Sequence, residues 1–473
     1  MQKPLDLFDR DHEWETLEAA WESEQAELVF MLGRRRVGKS FLLSRFARQA
    51  RGIYYQATKR TGEEQLVRMT QIVGERFGDR ALIRGATLPD WEALLEYVTD
   101  QAGGNRCLLV IDEFPYLVAA VPALPSILQS FWDHRWTGTP FTLVLCGSLI
   151  TAMRRLEEHD QPLYGRRTSR IVVSPFPYYH LRHFVPHYSP RDQLRAYAIF
   201  GGLPGHLDLL DPDLELAENV ARTVLTPSGR LSDEAQHMLD TFVEDAEVHY
   251  SVIDAIANGE RTWSGITSRV GKSGGSLLRP LEWLQRMGLV ERVVPITETQ
   301  PQKSKKSLYR ISDPYVTFWH RFVSPLLSAG SLGLVDGATL WREYIESRLD
   351  DHMGELFEQI CRDFVCHSNQ LPFSPMRVGQ WWSVDSTQEV DIVALGERGQ
   401  LLVGECKWGP VTTGDLTGLR DHATLLTRQL SGIRTVHLAL FTGEAVVGPD
   451  VRPAVEVGEV LQFGPDDLLG SSD

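Results

Sequence analysis

The sequence predicts a multidomain α/β protein. It has a parallel sheet covered by helices at its N-terminal end and a second α/β unit at its C-terminal end. Three observations predict this. Over the first ~200 residues, short apolar runs rich in β-branched residues alternate with helix-like stretches. From about Val252 to Phe322, three helical patterns precede two short strand patterns. The remaining ~130 residues open with one long helical pattern and continue as strand-like runs. A chain of 473 residues exceeds one ordinary core and suggests about three domains.

In order, the expected strands are Glu27–Leu32, Gly52–Thr58, Cys107–Glu113, Phe141–Gly147 and Arg170–Pro175, with helical stretches between them. Gln193 to about Asp254 reads as helical, interrupted by "GGLPG" and the turn-rich "LTPSGRLSD". Helices over "YSVIDAIANG", "SGITSRVG" and "GGSLLRPLEWLQRMG" precede strands in "LVERVVPI" and "LYRISDP". Three helices and a two-stranded hairpin are the order of a winged helix-turn-helix. The last part reads as a helix from Trp341, then strands in "GQWWSVD", "EVDIVAL", "QLLVGECKW" and "VHLALFTG", with a frayed tail over "GPDDLLGSSD".

Composition narrows the class. Apolar content of 42% and charged content of 23% are those of a globular protein. No stretch approaches the ~18 apolar residues that span a bilayer, so no membrane partner is expected. Five cysteines without a CxxC argue for a reducing, cytoplasmic setting. Cys361 and Cys366 read as small apolar residues on or near a helix, with too few ligands nearby for zinc.

"GRRRVGKS", Gly33 to Ser40, fits G-x-x-x-x-G-K-[ST] between an apolar strand and a helix. Glycines let the backbone N–H groups cradle phosphates. Gly33, Val37, Gly38, Lys39, Ser40 and Phe41 form the expected ATP-binding turn. Lys39 reaches the β- and γ-phosphates and Ser40 binds Mg²⁺. Arg34, Arg35 and Arg36 either add positive charge there or are solvated. "CLLVIDEF" ends a strand with Asp112 near the metal and Glu113 able to orient and deprotonate the attacking water. Ser148 closes the strand "FTLVLCGS", as a γ-phosphate sensor or a plain cap.

Phe8, Arg10, Glu13 and Leu17 form an F-x-R-x-x-E-x-x-x-L opening. Together with "GRRRVGKS", "LLVIDEF", "LCGS", "PLYGRRTS" and "GGLPGHL", it makes the first ~320 residues resemble the archaeal-type P-loop ATPases, signalling ATPases related to the AAA+ enzymes. The resemblance implies that Phe8–Leu17, with Arg10, lies near the adenine. It implies a phosphate-sensing arginine at Arg166 or Arg167. It places Gly201, Gly202 and Pro204 in the turn of a helical lid.

Net charge is −15, yet Glu260–Arg310 holds ten Lys or Arg against four Glu. Lys303, Lys305 and Lys306 fall in the expected wing; Arg269, Lys272 and Arg279 surround the expected recognition helix. Such cations can neutralise DNA phosphates. The resemblance equally allows a spacer or protein-binding module. In the last part, Asp391 precedes Glu405-x-Lys407 on neighbouring expected strands, with Glu389 beside Asp391. This D…E-x-K order is the signature of the PD-(D/E)xK nucleases. Asp391 and Glu405 could hold Mg²⁺ while Lys407 positions water and stabilises developing charge. Glu355 and Glu358 share a helix face upstream and could complete the site. Alternatively, Glu405 and Lys407 are an ion pair. "GELFE", "GQWW" and "GECKW" also resemble the C-terminal domain of unknown function that accompanies many archaeal-type ATPases, itself similar to the restriction-endonuclease fold.

The resulting expectation is a P-loop NTPase core over 1–190, a helical lid over 191–245, a winged helix-turn-helix over 246–325 and a restriction-endonuclease-like domain over 326–473. Its function would be an ATP- and Mg²⁺-dependent hydrolytic switch coupled to a domain that binds DNA and could cut it, with homo-oligomers on ATP binding. The alternative is a non-catalytic DNA-binding or protein-interaction regulator carrying an inactive nuclease fold.

Overall fold

The computed structural model describes residues 1–240, 246–383 and 387–470. The chain divides into two compact units, 1–176 and 177–473.

In the first unit, strands β1 (Glu27–Leu32), β2 (Ile53–Gln56), β3 (Cys107–Asp112), β4 (Phe141–Gly147) and β5 (Ser169–Val172) form one parallel sheet in the order β2-β3-β4-β1-β5. Parallel strands are buried on both faces, which is why they read as unbroken apolar runs. β3 and β4 are buried along their whole length. On one face Phe30, Leu109, Ile111 and Leu143 meet Met69, Val73, Leu94 and Val98 of two helices, Gly62–Phe77 and Trp91–Ala102. Thr61 and Asp90 cap these helices by accepting hydrogen bonds from Glu64 N and Ala93 N. The order sets the site: β4 lies between β1 and β3, so the chain leaves all three strands side by side at one sheet edge.

The second unit begins with short helices, including Pro190–Phe200. Part of its expected helical stretch, residues 241–245, lies outside the described residues. Helices Glu247–Ala257, Trp263–Val270 and Gly274–Arg286 bury Ile253, Ile266, Leu277, Leu281 and Leu284. They precede the antiparallel pair β6 (Val290–Val293) and β7 (Leu308–Ile311). A mixed sheet follows: β8 (Pro375–Trp382), β9 (Glu389–Gly396), β10 (Gln400–Lys407), β11 (Thr435–Thr442) and β12 (Val460–Phe463). Its order is β12-β11-β10-β9-β8. β8, β9 and β10 are antiparallel in turn, and β10, β11 and β12 are parallel. The long helix Glu346–His367 covers one face through Met353, Phe357 and Ile360, against Ile392, Ala394 and Leu402. Helix Thr413–Gln429 covers the other through Leu416 and Leu419, against Val393, Leu401 and Val403. The hairpin is tied to this sheet: Ile296 N donates to Gln380 O at 2.8 Å.

The expected strand through Asp385 ends at Trp382; Val384 and Asp385 lie outside the described residues. The expectation of a frayed tail is wrong for most of it. Pro465–Leu469 is a helix whose Leu468 and Leu469 are buried with Tyr178 and Leu194. Burying two leucines outweighs the polar composition around them. β12 was not expected at all; it forms on the open edge of β11.

Candidate functional site

The turn between β1 and its following helix is fixed by two glycines. Gly38 has φ 95°, a left-handed conformation that disfavours any Cβ. A Cβ on Gly33 would stand 2.6 Å from Val173 O. Helix Lys39–Gln49 starts directly after Gly38 and aims its free N–H groups into the turn. Lys39 is buried, with Nζ donating to Gly33 O at 2.7 Å and Arg34 O at 2.8 Å. Val37 is fully buried behind the turn, while Phe41 is exposed and carries the Arg45 guanidinium over its ring.

Arg10 supports this turn from outside. It is buried, donates to Val37 O at 3.3 Å and Ser174 O at 2.8 Å, and stacks on the Phe176 ring. Glu13 pairs with it at 3.4 Å. Burial lowers the Arg10 pKa and the neighbouring Glu13 charge opposes that. The F-x-R-x-x-E opening therefore braces the phosphate turn through backbone carbonyls.

Asp112 ends β3 with no solvent exposure. Its Oδ2 accepts from the Tyr54 hydroxyl at 2.8 Å, and its Oδ1 accepts from Glu113 N at 2.9 Å. Tyr54 also hydrogen-bonds Ser40, and burial together with the Asp112 charge pushes its hydroxyl pKa up. Tyr54 thus joins the two residues expected to hold Mg²⁺. A hydroxyl and a buried carboxylate are the hard oxygen donors that suit this ion.

Glu113 sits at φ 52°, a conformation that costs a non-glycine residue about 1–2 kcal/mol. Its Oε2 accepts from Ser148 Oγ at 2.9 Å and Ser148 N at 3.3 Å. The sheet order explains the contact, because Ser148 follows β4, the neighbour of β3. Lys39, Ser40, Asp112, Glu113 and Ser148 are thereby gathered at one sheet edge. Arg166 is engaged elsewhere: Nε and Nη2 bind Asp133 at 2.9 and 2.7 Å, and Nη1 donates to Pro162 O and Tyr164 O. Arg167 pairs with Glu157 at 2.8 Å.

A second polar cluster lies in the C-terminal sheet. β9 and β10 pair up to Ile392 and Gly404, so the next residues, Asp391 and Glu405, leave the ladder on adjacent strands. Asp391 Oδ2 accepts from Cys406 N at 2.8 Å. Burial, Glu358 and Glu405 push the Asp391 pKa up to about 8. Glu358 is also raised, first by burial, while it accepts from Gln380 Nε2 at 3.2 Å and Arg362 Nη1 at 3.3 Å. Lys407 Nζ meets Glu405 at 2.9 Å and Asp415 at 3.4 Å. Burial pulls the Lys407 pKa down, but these carboxylates outweigh it and raise it. Glu355 pairs instead with Arg261 at 2.8 Å. Among the described residues, no three His, Cys, Asp or Glu side chains are arranged to hold a metal.

In the basic region Arg269, Lys272, Arg279, Lys303 and Lys305 are exposed, and Lys306 pairs with Glu298 at 2.9 Å. Sequence reasoning missed Tyr54 and Arg362. Arg362 stands one helical turn after Glu358, a spacing that marked it; nothing local marks Tyr54 as a partner of Asp112.

Residues 7–210 match the model of a family described as an ATPase domain predominantly from Archaea. Residues 319–419 match a family of archaeal and bacterial proteins of unknown function. An uncharacterised protein of Methanocaldococcus jannaschii is 28% identical over 415 residues, which cover 87% of this chain and 89% of that protein. A Walker-type ATPase of Pyrococcus abyssi superposes with a TM-score of 0.51 at 20% identity, over 67% of this chain and 96% of that one. The ORC2 protein of Aeropyrum pernix gives a TM-score of 0.43 at 15% identity, over 70% and 96%. The N-terminal part is an ATPase domain with a P-loop at the edge of a parallel α/β sheet.

Proposed function

We propose that this ATPase is a switch that acts on DNA through the second unit. Lys39 exchanges its two carbonyl partners for the β- and γ-phosphates of ATP. Ser40 and Asp112 would hold Mg²⁺, which supplies charge neutralisation between those phosphates. Glu113 leaves Ser148, takes a proton from water, and the water attacks the γ-phosphorus in line with departing ADP. The bond from Ser148 to Glu113 carries this reading, because it withholds the base until the site is filled.

For the second unit, the convergence of Asp391, Glu405, Lys407 and Glu358 supports a PD-(D/E)xK-type nuclease site. Asp391 and Glu405 would hold a divalent cation, which supplies Lewis acidity at the scissile phosphate. Burial first, and then the Glu358 and Glu405 charges, raise the Asp391 pKa, a penalty that a bound cation relieves. The three helices and hairpin serve as a winged helix-turn-helix whose exposed cations meet the DNA backbone. The test is cleavage of plasmid, linear duplex and single-stranded DNA with Mg²⁺ or Mn²⁺, with and without ATP. Loss of cleavage in Glu405→Ala supports the reading, and Lys39→Ala reports whether ATP gates it. Absence of cleavage in every condition, with ATP turnover intact, would sink it.

One observation favours a second reading, a non-cutting regulator. Lys407 is already shared between Glu405 and Asp415, as a structural ion pair would be. That protein would bind DNA in an ATP-dependent way without cutting it.

A further inference from the structure

The second unit contains a cavity of about 440 Å³ walled by the hairpin, the long helix Glu346–His367 and strand β8. Arg362 and Arg310 both line it. Arg362 is only 7% exposed. Its Nη1 donates to Glu358 and, at 3.1 Å, to Asp391 O. Among the described residues, its Nε and Nη2 have no hydrogen-bond acceptor. These two nitrogens form one edge of the guanidinium plane, the fork that meets two oxygens of a phosphate or carboxylate. A buried cation with that edge unmet is costly. Arg310 adds a second positive charge near enough to oppose that of Arg362, although its Nε is paired with Glu291. An anion between the two guanidinium groups relieves both problems.

The remaining walls suit an organic body. Tyr178, Tyr197, Ile360 and Val378 are aromatic or apolar, and Gln380 offers an amide. Asp363 also lines the cavity and can bond a hydroxyl or amine; burial raises its carboxyl pKa, and His367 beside it opposes that. The volume falls in the range of small-molecule sites.

We infer that this cavity binds a small phosphate ester with an aromatic or apolar body, held by the guanidinium groups of Arg362 and Arg310. The inference is independent of whether the neighbouring carboxylates cut DNA. Cys366 lines the same cavity and is the one exposed cysteine of the five, so its alkylation reports occupancy. The full chain carrying Lys39→Ala, which silences the ATP site, would be alkylated with phenyl phosphate, benzoate or phenol present. Mass spectrometry would follow Cys366. Phenyl phosphate should slow the reaction severalfold and phenol should not. Arg362→Gln should abolish the protection, and Arg310→Gln should weaken it about tenfold. Equal protection by benzoate would overturn the phosphate class. No protection by phenyl phosphate at millimolar concentration, or protection unchanged in Arg362→Gln, would overturn the site. If Arg362→Gln does not fold, undiminished protection in Arg310→Gln overturns it.

Discussion

Glu113 and Tyr54 carry the sharpest expectations at the scale of single residues. Glu113→Gln keeps the shape and removes the base, so kcat for ATP should fall about 10²- to 10⁴-fold with little change in KM. Ser148→Ala releases Glu113, and basal turnover should rise; an unchanged or lower rate in a steady-state assay would show that Ser148 does not restrain it. Tyr54→Phe strips a hydrogen bond from the fully buried Asp112 carboxylate. In EDTA the variant should lose roughly 1.5–3 kcal/mol in urea unfolding, and Mg²⁺ with ADP should return part of it. The phosphate turn, Asp112 and Glu113 were readable because each is a local pattern at a strand end. Tyr54 was not, because its role depends on β2 lying beside β3, and strand order is not written in either segment.

At the scale of elements, the contact between the long helix and helix Pro190–Phe200 has a pH signature. His352 is buried, faces Ala198 O at 3.3 Å, and lies against Phe318 and Phe322. Burial, with help from the Arg321 charge and against the Ala198 bond, lowers its pKa from 6.5 to about 4. Between those values the unfolded chain holds a proton that the folded chain does not. The His352 contribution to stability should therefore be complete above pH ~6.5 and fall by roughly 3 kcal/mol as the pH drops to about 4, on top of the opposite slope from the raised Asp391 carboxyl. The difference in urea midpoint between the wild type and His352→Gln, followed at several pH values, should show that slope. β1, β3 and β4 were readable as apolar runs, since both their faces are covered. β12 and the tail helix were not, because each exists only through distant partners. Leu468 and Leu469 meet Tyr178 almost 300 residues upstream.

At the scale of the whole molecule, a net charge of −15 and a basic stretch oppose each other. If the exposed cations of the three-helix region meet duplex DNA, affinity should fall at least about tenfold between roughly 50 and 200 mM salt. Lys303→Ala with Lys305→Ala should make that dependence shallower in a filter-binding or anisotropy titration. Affinity indifferent to salt would favour the spacer role for this region.

The second unit is closed head to tail. Tyr178 and Leu469 share a core, Arg182 donates to Leu469 O at 3.3 Å, Arg191 donates to Trp408 O at 3.1 Å, and the hairpin hydrogen-bonds β8 through Ile296. A break anywhere between these segments opens an apolar core or strips buried backbone of its partners. Swapping in a foreign hairpin region or C-terminal sheet alone would break those contacts, so the second unit behaves as one indivisible piece, not as beads on a string.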